Sequence, residues 1–158
     1  MTDQSIPVMH PQPELRSAYA VFRLINTRWA DNDAYGHINN VVYYAWFDTA
    51  VNGYLIEQGV LDIHQGGTIG LVVETQCNYF QPVTFPQPVE LGIRVAHIGS
   101  ASVRYELAVF AESTKGRFDV CAAKGHFVHV YVDKLRRKPV ALSNSFKLVL
   151  EELKNVGK

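Results

Sequence analysis

The chain is written in two kinds of hydrophobic pattern. Residues 20–29, AVFRLINTRW, alternate apolar and polar positions, and a period of two predicts a first strand. From Val41 to Ile56 the apolar positions instead run round the whole circumference of a helix, with Tyr43, Trp46, Phe47, Val51 and Leu55 among them. Such a helix must be enclosed by protein or span a bilayer. Its length and the interruptions at Asp48, Asn52 and Gly53 favour burial inside a globular domain. Gly59 is the expected stop.

Beyond the connection 59–67, TIGLVVETQCNYF is expected to be a half-buried strand, with Ile69, Leu71, Val73, Cys77 and Tyr79 on one face and Thr68, Glu74, Gln76 and Asn78 on the other. Pro82, Pro86 and Pro88 then make QPVTFPQP a loop. Val89, Leu91, Ile93 and Val95 form one strand face, Gly99-Ser100 the turn, and Val103, Tyr105, Leu107 and Val109 the next strand. FDVCAAKGHFVHVYV is long enough for a central strand, with Gly125 at a bulge or a close approach. A terminal helix, SNSFKLVLEELK, presents Phe146, Val149, Leu150 and Leu153 on one side, with Ser143 near its cap.

The order is thus a strand, a long helix, then four strands in hairpin succession. This predicts an α+β layout in which a curved antiparallel sheet wraps one helix. A single helix cannot shield both edges of a five-stranded sheet, so an edge-to-edge dimer is expected.

The 158 residues suit one domain, and 47% hydrophobic content supplies a core. Residues 1–18 are expected to be a flexible arm without signal-peptide character, and 19–158 the domain. Fifteen basic residues balance fifteen acidic ones, so no global field recruits nucleic acid or an anionic membrane. Membrane insertion is not expected. Cys77 and Cys121 lack CxxC spacing and are expected as free thiols in a reducing, cytoplasmic setting.

The candidate chemistry lies between the first strand and the helix. Asp31, Asp33, His37, Asn39 and Asn40 fall within ten residues around Gly36, where a left-handed backbone or a close approach costs little. Asn39 or Asn40 can cap the helix, whose first turn carries unsatisfied N–H groups. No histidine or cysteine spacing matches a metal site, no G-x-S-x-G is present, and no cofactor is expected.

The run R-W-A-D-N-D-A-Y-G-H-I-N-N-V-V-Y-Y, followed later by V-E-T-Q-C-N-Y-F-Q-P-V, resembles the hotdog-fold acyl-CoA thioesterases of the 4-hydroxybenzoyl-CoA thioesterase type, from about residue 21 to residue 133. The spacing D-x-D-x-x-G-H-x-N-N also resembles the corresponding loop of acyl-acyl-carrier-protein thioesterases. The resemblance implies a hotdog fold, a homodimer or dimer of dimers, an active site at the dimer interface, and an acyl-CoA or acyl-ACP substrate. It further implies that Asp33 is the catalytic carboxylate and that a backbone N–H near Asn40 polarises the thioester carbonyl.

These residue types suit thioester hydrolysis. A carboxylate can attack the carbonyl or activate water, and helix N-terminal amides suit the developing oxyanion. Gly36, His37, Asn39 and Tyr43 are the expected substrate contacts. The plainer readings differ: Asp31 braces the loop, the two Asn are caps, and Tyr43, Trp46 and Phe47 are core. Arg104, Lys115, Arg117 and the cluster 134–138 are candidates for CoA phosphates, though charge runs are ordinarily solvated faces. Two other functions compete, a hotdog hydratase or dehydratase and a non-catalytic acyl-thioester binding module.

Overall fold

The computed structural model describes residues 10–154. Five strands, β1 (Val21–Ile25), β2 (Thr68–Tyr79), β3 (Val89–Ile98), β4 (Ser102–Thr114) and β5 (Arg117–Asp133), form one antiparallel sheet. Helix α1 (Asn40–Glu57) lies in its concave face, and helix α2 (Asn144–Lys154) follows β5. This is the hotdog architecture.

Alternation in β3 and β4 does what the pattern predicts. Val89, Leu91, Ile93 and Val95 are buried toward α1, as are Val103, Tyr105, Leu107 and Val109. The helix buries Tyr43, Trp46, Phe47, Ala50, Val51 and Leu55 against them. Gly125 marks a close approach: a Cβ there would collide with the Gln76 carbonyl and come within 2.7 Å of the Phe47 ring. The missing side chain lets Phe47 reach the sheet and meet Phe127 edge-on at 5.8 Å. Gly59, at φ +72°, ends α1 where the sequence put its stop. In α2 the Ser143 hydroxyl accepts from Phe146 N at 3.2 Å, and Phe146, Leu150 and Leu153 are buried, each worth about 1.5–3 kcal/mol of apolar transfer.

Two expectations need correction. The last four strands do not follow one another as hairpins. The order is β1-β3-β4-β5-β2, so β2 and β3 lie on opposite sides of the β4-β5 hairpin, joined by the proline-rich crossing 81–88. Nor does β2 keep one parity. A bulge at Val73 shifts its register against β5, so Ile69 and Leu71 face away from the side that Cys77 and Tyr79 share with Phe127. β2 is also less buried than expected, with Val72 46% and Val73 60% exposed at the sheet edge.

Ahead of β1, residues 1–9 lie outside the described residues, and Glu14, Arg16 and Ala18 meet the convex face of the sheet. The Glu14 carboxylate accepts from Arg94, from Lys124 at 3.0 Å and from the Tyr19 hydroxyl at 3.0 Å. These donors hold its pKa below the usual carboxylate value against the opposing effect of burial. Tyr19 seals Phe110 beneath it. Cys77 and Cys121 are both free thiols, and no described helix is long and apolar enough to cross a membrane.

Candidate active site

β1 ends early because the chain turns on Asp31. This carboxylate, 1% exposed, accepts from Arg28 N at 2.7 Å and from the Arg28 guanidinium at 2.9 and 2.7 Å, closing a 3-10 turn over Trp29–Asp31. The Asp31 carbonyl then accepts from Asn39 N at 2.8 Å. Asp31 is therefore a brace that ties the strand end to the helix start.

Between these anchors the loop is a tight reversal. Asp33 N donates to the His37 carbonyl at 2.8 Å, Gly36 N to the Asp33 carbonyl at 3.1 Å, and Asn32 bridges Ile38. Gly36 sits at φ +81°, which a side chain would strain. The crossing 81–88 clamps this reversal from outside: Thr84 donates its hydroxyl to the Gly36 carbonyl at 2.7 Å, and Ile38 N donates to the Val83 carbonyl at 2.8 Å.

Asp33 is half-buried and its two oxygens differ. Oδ1 accepts from Tyr35 N at 2.8 Å and from His37 N at 3.4 Å, while Oδ2 has no donor among the described residues. The carboxylate is held by one oxygen and presents the other. Asn39 is the N-cap, its Oδ1 accepting from Val41 N at 3.1 Å. Asn40 is the first helical residue, and its N–H, one of the orphan donors of a first turn, has no acceptor among the described residues.

Asp33, His37, Asn40 and Tyr43 line one open cavity of about 350 Å³, together with Ile38 and the segment Tyr79–Pro82. Carboxylate and helix N-terminus thus share a wall, the arrangement in which a base or nucleophile and an oxyanion donor can act on one carbonyl. Gly36 and Asn39 belong to the same loop but are not among the residues that line this cavity. Tyr43 is 3% exposed and serves as both core and lining, between the rings of Trp46 and Tyr79 at 5.0 Å each. Burial pushes its phenol pKa up to about 12.

Pattern reading did not place Tyr79, Phe80, Gln81 and Pro82 at this cavity. Tyr79 donates its hydroxyl to the Asn40 carbonyl at 3.0 Å, fixing the end of β2 to the first turn of α1. Their only signal is the N-Y-F-Q-P stretch that carries the second half of the resemblance. Glu74 lies apart, paired with His126 at 2.6 Å and Arg104 at 3.5 Å on the convex face. Arg117 pairs with Asp119, and the cluster 134–138 stands at the opposite end of β2 from Asp33.

A family model described as the thioesterase-like superfamily matches residues 27–150. The crystal structure of the PA5185 protein from Pseudomonas aeruginosa is 52% identical and superimposes with a TM-score of 0.85, covering 94% of this chain and 100% of that one. A DHNA-CoA thioesterase from Staphylococcus aureus is 25% identical, with a TM-score of 0.71 over 83% of this chain and 86% of its own. The Bacillus subtilis protein YsmA is 24% identical over 140 residues, 89% of this chain and 91% of its own.

Proposed function

The chain belongs to the thioesterase-like superfamily, and from that membership we propose that it hydrolyses an acyl-CoA to free acid and CoA at the cavity of Asp33 and Asn40. The carrying observation is that Asp33, whose Oδ2 has no donor among the described residues, and Asn40, whose N–H has no acceptor among them, line one cavity. In the reaction the Asn40 N–H donates to the oxygen of the thioester carbonyl as it becomes an oxyanion. Asp33 either takes the proton of an attacking water or attacks the carbonyl itself. In the first route the tetrahedral intermediate collapses, the C–S bond breaks, and the CoA thiolate leaves and is protonated. In the second the thiolate leaves a mixed anhydride at Asp33, which water then cleaves.

Tyr43, Tyr79 and Phe80 offer aromatic surface to the acyl group, while His37 bounds the approach. CoA is favoured as carrier because the DHNA-CoA enzyme from Staphylococcus aureus is among the structural relatives. The homodimer belongs to this proposal, since an open cavity beside an exposed sheet edge lacks a wall.

The test is thiol release from a panel of aliphatic and aromatic acyl-CoAs. Asp33→Asn is expected to lower kcat by about 10²- to 10⁴-fold while the protein stays folded. Full turnover by that variant would reject the assignment, and ligand binding without thiol release by the unaltered protein would favour the binding module. Label on Asp33 after a single turnover in heavy-oxygen water identifies direct attack with the anhydride cleaved at the Asp33 carbonyl, since general-base hydrolysis puts the label in the product acid alone.

A further inference from the structure

We infer that Tyr79 is a positioning residue for the proposed hydrolysis: its hydroxyl starts a chain of hydrogen bonds, through the Asn40–Val41 peptide to the Asn39 side chain, that holds the first turn of α1 and with it the Asn40 N–H. The inference rests on the proposed thioester reading and gives a task to a residue outside the loop of Asp33.

An oxyanion donor must stay where the charge develops. The first turn of a helix is poorly made for that. Its N–H groups lack partners within the helix, and helix ends open more readily than helix middles. In α1 the turn is also thinly covered, since Asn40 is exposed and Val41 is 60% exposed. No acidic side chain stands in it to complement the helix dipole. Its order must come from the bonds that other groups make to it.

Those bonds fix the peptide on each side of Asn40. The peptide before it carries the Asn40 N–H, and its carbonyl, that of Asn39, accepts from Val42 N at 3.0 Å. The peptide after it is held at both ends: the Asn40 carbonyl accepts from the Tyr79 hydroxyl at 3.0 Å, and Val41 N donates to Asn39 Oδ1 at 3.1 Å. A carbonyl that accepts a bond makes the N–H of the same peptide a better donor, so the Tyr79 bond strengthens the Asn39 cap. With both peptide planes tied down, Asn40 keeps little freedom in φ or ψ, and its N–H keeps its direction.

The end of β2 is shaped to deliver this hydroxyl. Gly70 and Val72 pair with the buried Tyr131 and His129, so on that part of the strand the even-numbered positions face α1. Had the alternation run on unbroken, Tyr79 would point to the convex face. The bulge at Val73 reverses the parity, and Tyr79 pairs with the buried Ala123 on the helix side. Its ring stands edge-on to that of Tyr43 at 5.0 Å, which fixes where the hydroxyl reaches. Burial raises the phenol above its ordinary pKa, with Cys77 nearby acting in the same direction, so the group keeps the proton it donates.

The test compares Tyr79→Phe, Asn39→Ala and the double variant. Tyr79→Phe keeps the ring that lines the cavity and loses only the hydroxyl. It is expected to lower kcat for an acyl-CoA about three- to tenfold with KM unchanged. The double variant should be no slower than Asn39→Ala alone, because either change breaks the same chain. Native kcat in Tyr79→Phe would overturn the inference. So would losses that multiply in the double variant, or a change in KM alone, which would make Tyr79 only a wall. Exchange of the Val41 amide with solvent, followed by NMR, reads the chain without any substrate. It should run about three- to tenfold faster in Tyr79→Phe, and equal rates would overturn the inference. Absence of thiol release by the native protein would reject the proposed hydrolysis instead, and the amide exchange would still decide the chain.

Discussion

At the scale of single residues, the loop separates two carboxylates of the same type by their donors. Asp31 spends both oxygens on Arg28 and can only brace, whereas Asp33 keeps one oxygen free at a cavity. A third titratable group, His129, lies in the core at 1% exposure with neither ring nitrogen bonded among the described residues. Its neighbours are the rings of Phe127, Tyr105 and Tyr131, and the two tyrosine hydroxyls bond each other at 2.8 Å. Burial pulls its pKa from 6.5 down to about 4, with the Asp48 carboxylate on α1 acting weakly the other way. The unfolded chain therefore binds a proton between those values that the folded one refuses. Stability should be intact above pH 6.5 and fall as the pH drops toward 4, by on the order of 3 kcal/mol from this group. Urea denaturation at a series of pH values checks this, and His129→Phe should flatten the slope across that interval.

At the scale of elements, the site is a junction of three segments. The reversal around Gly36, the first turn of α1 and the end of β2 meet because Asn39 caps the helix, Tyr79 bonds Asn40 and Thr84 clamps Gly36. On the proposed reading the cap is structural and functional at once, since it sets where the helix begins and so where the Asn40 N–H lies. Asn39→Ala is expected to cost about 1 kcal/mol of stability. On the proposed reading it should also lower kcat more than it raises KM, because it loosens the first turn that positions the Asn40 N–H. Thermal denaturation and steady-state kinetics read the two effects separately, and unchanged kcat would make Asn39 a cap alone.

At the scale of the whole molecule, charge is balanced but not evenly spread. Zero net charge removes long-range attraction for an anionic substrate, so under the proposed acyl-CoA reading any cations that hold CoA must act locally. Salt then becomes a probe. Screening shortens from about 10 Å at 0.1 M to about 3 Å at 1 M ionic strength, so KM for acyl-CoA should rise several-fold over that range. KM for acyl-pantetheine should stay level. Parallel behaviour of the two substrates would mean that phosphate contacts contribute little.

Much of this protein is local and therefore written in its sequence. Period-two alternation determined β3 and β4, the apolar run determined α1, and Gly125 marked the approach of Phe47, because each depends on neighbours a few residues apart or on one absent side chain. The D-x-D-x-x-G-H-x-N-N spacing likewise gathered Asp33, Gly36, His37 and Asn40, since ten residues of loop cannot carry them far from one another. What the tertiary structure alone decided is non-local. It moved β2 to the far side of β5 and shifted its parity by one bulged residue. It also brought Tyr79–Pro82 against a loop more than forty positions earlier, and buried His129 without a partner. Strand order and register come from long-range pairing energies that no short window of sequence contains.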